Sequence, residues 1–137
     1  MGNVIKIGDS KFWTDSGILY CQFRNNDAKN KFETESVALF IRAIDKLCKG
    51  MPMPFLIDSR DSQWTFTRES ANLLANSPTL VKLRMSEAYV FNTIGIKLVV
   101  ASYKRIYEPS TPFSVFNNLE SARAYCVEAI NNFYGSN

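Results

Sequence analysis

An α/β fold with a mixed sheet, antiparallel at its N-terminal hairpin and parallel later, is what this sequence predicts. Three observations predict it. Residues 11–23 hold two runs of aromatic and β-branched residues around a glycine turn, the pattern of a β-hairpin. Beyond residue 34, segments with apolar residues at helical spacing alternate with short apolar runs. Those segments are punctuated by capping residues, glycine and proline. Such alternation buries its apolar faces as strands joined by crossover helices. Right-handed crossovers then lay the helices on the faces of the sheet.

The hairpin comes first. Lys11–Thr14 and Ile18–Phe23 are the strands, and Gly17 supplies the positive φ of the turn. Val4–Ile7 adds a short preceding strand, and Arg24–Lys31 is a polar loop. Thr34 is the expected N-cap of a helix with Glu35 in its first turn. Val37, Phe40, Ile41, Ile44, Leu47 and Cys48 form its buried stripe, and Gly50 and Pro52 end it. Met53–Ile57 has no alternation, as expected of a strand buried on both faces.

Thr67 can cap a helix reaching Asn76, and Ser77 with Pro78 can open a further short one. Ala88–Phe91 reads as the next buried strand. Ile94–Tyr107 has strand-like propensity at Lys97–Ala101, but its length and basic last turn favour a helix capped by Asn92 or Thr93. Pro112–Phe116 is a last strand with proline at its start. Asn117, with Glu120 three residues on, opens the last helix in capping-box style. Leu119, Ala122, Cys126, Ala129, Ile130 and Phe133 are its expected buried stripe.

At 137 residues, with no linker, repeat or low-complexity block, residues 1–137 are expected to form a single domain. A charge of +3 without a Lys/Arg cluster argues against nucleic acid. The densest basic spot, Tyr103-Lys104-Arg105, reads as the solvated end of a helix. The absence of histidine removes the commonest general base and metal ligand, and with them any Ser-His-Asp or Cys-His site within this chain. Cys21, Cys48 and Cys126 are odd in number and lie in apolar segments, as buried reduced thiols do. The first residues lack the apolar core of a leader, Lys6 departs from a myristoylation signal, and no apolar run approaches the ~20 residues of a membrane span. The expectation is a cytoplasmic, non-enzymatic protein with no cofactor and no metal.

The stretch "FLIDSRDSQWTFTRES", residues 55–70, is the candidate site. An apolar strand ends in Asp58, and a polar loop leads to the next helix. Asp58 and Asp61, joined by Glu69, are the carboxylates that acid–base chemistry or Mg²⁺ would need at a strand end. Neither a nucleophile–base pair nor a glycine-rich phosphate loop accompanies them, and Asp and Ser are also common turn residues.

The order of elements resembles the SpoIIAA-like proteins of the STAS fold, related in shape to anti-sigma-factor antagonists and Sec14-type lipid carriers. The hairpin "FWTDSGILYCQF", the strand, loop and helix of "PFLIDSRDSQWTFTRESANLLA", and the ending "YEPSTPFSVFNNLESARAYCVEAI" carry the likeness over roughly residues 4–133. Within that group the chain looks most like the compact single-domain type common as uncharacterised bacterial proteins.

The resemblance implies a regulatory module that binds a partner protein through the loop after the central strand, with Asp58, Arg60, Asp61, Trp64 and Phe66 as contact residues. It also implies candidate phosphosites at Ser59, Ser62 and Thr67, since the antagonist branch is phosphorylated near the helix following that strand. A phosphoryl group there would meet free backbone N–H groups and the positive end of the helix dipole. The usual small residues and glycine are replaced here by Arg60-Asp61, and the helix starts about eight residues later. Trp64 and Phe66 equally suit inward packing, with Phe66 as a hydrophobic staple. The Sec14-like side of the fold implies the alternative, a carrier or sensor of a small apolar ligand. Residues 93–107 would line its cavity, with Tyr103 or Arg105 facing a polar head group. A homodimer through the hairpin edge or an apolar helix face is a further expectation.

Overall fold

The computed structural model describes residues 3–24, 31–60 and 66–135. A six-stranded sheet runs through it in sequence order. β1 (Ile5–Ile7), β2 (Ser10–Asp15) and β3 (Ile18–Gln22) pair antiparallel. β4 (Met53–Asp58), β5 (Arg84–Val90) and β6 (Phe113–Phe116) then add in parallel, each to the strand before it. Among the described residues five helices accompany them: α1 (Thr34–Cys48), α2 (Arg68–Asn76), α3 (Pro78–Leu83), α4 (Ile94–Ile106) and α5 (Leu119–Tyr134).

Ser16 and Gly17 make the β2–β3 turn, both at positive φ (54° and 79°), as a two-residue hairpin turn matching strand twist requires. The turn sets Phe12 opposite Cys21 and Trp13 opposite Tyr20. Phe12 and Cys21 join the core on one face of the sheet. Tyr20 joins the core on the other face, where Trp13 stacks on it with ring planes 2° apart.

Because the parallel strands are added in one direction, crossovers of one hand put their helices on one face. There α1, α3 and α4 cover Leu19, Cys21, Phe55, Ile57 and Tyr89, contributing Phe40, Ile44, Leu80 and Val100 among others. α5 covers the opposite face, where Ala122 and Cys126 meet Ile18, Leu56, Ala88 and Val90. β3 and β4 therefore serve both cores with alternate residues, and their continuous apolar runs follow.

Several boundaries shift from the sequence expectation. Glu33, not Thr34, is the N-cap of α1, and its side chain makes no capping bond; Thr34 already has helical geometry. Asn118, not Asn117, caps α5, because the chain stays extended through that residue. Its Oδ1 accepts from the Ser121 N–H at 2.7 Å, which leaves Glu120 one position short of a capping box. β5 begins at Arg84, four residues before the apolar run, because parallel pairing with β4 extends it. Residues 94–106 are helical, and Thr93 Oγ1 accepts from the Ile96 N–H at 3.4 Å. Phe133, expected inside, is exposed near the end of α5.

Candidate functional site

At the end of β4, Asp58 is buried, and its neighbour Arg60 folds back over it. Arg60 Nε and Nη2 each donate to the carboxylate at 2.9 Å, a bidentate pair, and the Arg60 N–H adds a third bond at 3.2 Å. Gln22 Nε2 on β3 reaches the same group at 3.5 Å. Arg24 Nη1 donates to the Arg60 carbonyl at 3.0 Å, tying the loop to the end of β3. Burial pushes the Asp58 carboxyl up, but the bonds and charge of Arg60 outweigh it and hold the group below its ordinary value.

Ser59 is 1% exposed. Its N–H donates to the Val90 carbonyl at 2.8 Å, so it continues the sheet, and its hydroxyl is buried without a partner. It lies at a strand end and not at a helix N-terminus. Thr67 does stand at one: its Oγ1 accepts from the Ser70 N–H at 3.1 Å and donates to Ser70 Oγ at 2.8 Å. Phe66 packs inward, its ring centroid 5.3 Å from Phe32 and 5.8 Å from Phe23, and Phe32 in turn meets Phe40. Glu69 is exposed on the first turn of α2. Asp61, Ser62 and Trp64 lie outside the described residues.

A second polar centre lies beneath α4, where the basic triplet was expected to be solvated. Lys104 is 2% exposed. Its ammonium donates to Glu87 Oε1 on β5 at 2.5 Å and also to Glu108 Oε1. Glu108 Oε2 accepts from the Thr111 N–H and hydroxyl at 3.0 and 2.8 Å. Burial pushes Glu108 up, but the bonds from Lys104 and Thr111 prevail and hold it below its ordinary value. Arg84, 7% exposed, donates from Nη1 to the Leu74 carbonyl at 3.3 Å and from Nη2 to the Ala75 carbonyl at 3.0 Å. These are end carbonyls of α2, which carries no basic residue in its own last turn.

A register irregularity opposite Met53 and Pro54 breaks the alternation of β5, so that Arg84 lines the same cavity as Glu87 and Tyr89. That cavity measures about 30 Å³. Phe23, Ile57, Leu80 and Val100 form apolar walls, and Tyr103 of α4 closes it. Arg84 Nε and the Tyr103 hydroxyl are buried without a hydrogen-bond partner. Burial, with the Glu87 charge, pushes the Tyr103 phenol up. The three thiols are buried and also pushed up by burial, Cys48 to about 11 and Cys126 to about 12.

The outer side of α4 carries large apolar residues alongside the exposed Lys97, Ser102 and Arg105. Ile94, Leu98 and Ile106 are 72%, 62% and 62% exposed, while Ile96, Val100 and Lys104 face inward. A helix that buries a lysine and presents three large aliphatic residues reverses the ordinary pattern of a surface helix. A groove of about 320 Å³ runs along it, with Ala71 of α2 and Leu98, Val99 and Ile106 of α4 among its walls. Phe66 and Tyr103 line both this groove and the inner cavity. Arg105, offered as a head-group contact beside Tyr103, is exposed.

Sequence reasoning missed Glu87, Arg84 and Glu108. The available signals were a carboxylate inside the run "EAYV" and a Lys104–Glu108 spacing of four.

The sheet order and helix placement define an α/β module of the SpoIIAA-like fold. A solved structure matches it along 92% of either chain with a TM-score of 0.56 and 12% identity: an uncharacterized protein from the DUF3478 family with a SpoIIAA-like fold from Shewanella loihica PV-4. At that identity the likeness is one of fold. Residues 12–129 match the model of DUF7793, a domain of unknown function, and the chain belongs to that family. A search of the curated proteins gives no match. Among the described residues no helix is long and apolar enough to cross a membrane.

Proposed function

We propose that the chain is a non-enzymatic binding module of STAS type that docks a partner protein on the outer face of α4. The exposure of Ile94, Leu98 and Ile106 carries this reading, because large aliphatic residues left exposed in and beside a groove are what a protein interface covers. The loop expected to serve as the contact contributes less among its described residues. Asp58 is engaged by Arg60, and Phe66 is part of an aromatic cluster. A cytoplasmic setting suits buried thiols held in the reduced form.

A photo-crosslinking side chain at Leu98, in cells that make the protein, tests the reading. A discrete heterologous adduct, abolished by Ile106→Asp, is expected. An adduct with a second copy alone would replace the partner by a homodimer, and no adduct would overturn the proposal.

A second reading, a carrier or sensor of a small apolar ligand, is favoured by the wall that the inner cavity shares with the α4 groove.

A further inference from the structure

The groove beside α4 has a shape and a charge that narrow its occupant. α4 offers it Val99, Ser102, Tyr103 and Ile106, the i, i+3, i+4 and i+7 positions of one helix face. That face is two turns long, roughly 10 Å. Ala71 of α2 lines the groove from a second helix, and the small side chains of Ala71 and Ser102 leave room in it. A trough between two helices accepts the side-chain ridge of a third.

Its flanks are cationic. Arg105 lies three residues after Ser102, and Arg68 three residues before Ala71, so each neighbours a groove residue on its own helix. Both arginines are exposed, and among the described residues neither pairs with a carboxylate. α4 contains no Asp or Glu. Glu69, the one carboxylate of α2, is two residues from Ala71 and so faces another way. A second copy that laid α4 against α4 would set Lys97 and Arg105 against the same two cations, with no carboxylate on either helix to offset them. A flat lipid surface fills a trough less well than a ridge of side chains does.

We propose that this groove takes an acidic amphipathic helix of a partner protein. Its apolar ridge lies on Leu98, Val99 and Ile106, and its flanking carboxylates meet Arg68 and Arg105. The inference rests on the docking reading and names the partner's chemistry.

The test titrates the full-length protein with three synthetic helical peptides of about 18 residues that share one leucine ridge at i, i+3, i+4 and i+7. Their flanking positions are Glu, Gln or Lys. NMR shifts and fluorescence anisotropy follow binding. At about 20 mM salt the Glu peptide is expected to bind about tenfold more tightly than the Lys peptide, with the Gln peptide between them and shifts centred on Leu98 and Ile106. Salt at about 500 mM should remove most of that preference, because exposed charges are screened. The double variant Arg68→Glu with Arg105→Glu should reverse the order of the Glu and Lys peptides. Both residues are exposed, so the fold tolerates the change. Leu98→Asp should abolish binding of all three.

Equal affinity for the Glu and Lys peptides, or an order that the double variant leaves unchanged, would overturn the acidic-helix inference and leave docking on α4 standing. Binding to vesicles of equal parts phosphatidylglycerol and phosphatidylcholine, with no peptide bound, would overturn it in favour of a lipid surface. Self-association that Leu98→Asp removes would overturn it in favour of a second copy. No binding of any probe would overturn it as well, and the crosslink at Leu98 then decides the docking reading separately.

Discussion

Two ion-paired centres lie on one sheet and are built in opposite ways. At the end of β4, Asp58 and Arg60 are two residues apart, and the arginine side chain is 34% exposed. Beneath α4, Lys104 joins Glu87 of β5 to Glu108, and all three side chains are 7% exposed or less. The first is a local clasp that closes a strand end onto its loop. The second joins the local pair Lys104 and Glu108 to Glu87 of β5, which meets them only in the folded chain, and its charges have exchanged water for one another. A buried pair is a weak source of net stability but a large liability when one member is removed. The polar feature easiest to see in the sequence is therefore the less consequential for the fold.

Lys104→Met sharpens the contrast most. It leaves two carboxylates buried with no ammonium, and a loss of about 3–5 kcal/mol is expected in urea unfolding at pH 7. Adding Glu87→Gln and Glu108→Gln should restore a large part of that loss. Ser59→Asp puts a carboxylate beside Asp58 in a buried position and should cost about 3 kcal/mol or more. A stably folded Ser59→Asp protein would show that a negative group at Ser59 is tolerated, as a phosphorylation switch requires. Arg60→Ala should cost about 1–2 kcal/mol, because solvent still screens the Asp58 pair. Equal losses for Arg60→Ala and Lys104→Met would break the comparison.

Acid reads both centres at once. The folded protein holds Asp58 and Glu108 below their ordinary values, so it binds fewer protons there than the unfolded chain does. The stability they contribute is present above roughly pH 4 and is lost as pH falls through their depressed values. Asp58→Asn and Glu108→Gln should each flatten that acid limb in urea titrations from pH 6 to pH 2. The smallest effect is expected from Ser59→Ala, within about 1 kcal/mol of wild type, since the hydroxyl it removes has no partner to lose.

The hairpin, the helices and their order were legible because their signals are local. Gly17 after Ser16, Thr67 before α2, and Ser77 with Pro78 before α3 act within one turn of chain. Those signals were less exact at Thr34 and Asn117, where neighbouring residues compete for the same cap. The site was far less legible. Phe66 suited both an exposed anchor and an inward staple, and only the closeness of Phe23 and Phe32 decides for the inside. Tyr103-Lys104-Arg105 looked like one solvated run, yet the helix turns Lys104 inward and Arg105 outward.

The sequence by itself determined a mixed α/β sheet with an N-terminal hairpin turning at Gly17, the order and approximate spans of its helices and the burial of its cysteines, because periodicity and turn chemistry act over a few residues. Only the tertiary structure decided that Ser59 is enclosed and that α4 buries a lysine while leaving Ile94, Leu98 and Ile106 exposed. It also decided that Arg84 and Tyr103 share a cavity. Those outcomes depend on β5, α2 and α4 meeting in space, where burial turns ordinary surface charges into a centre that must be balanced.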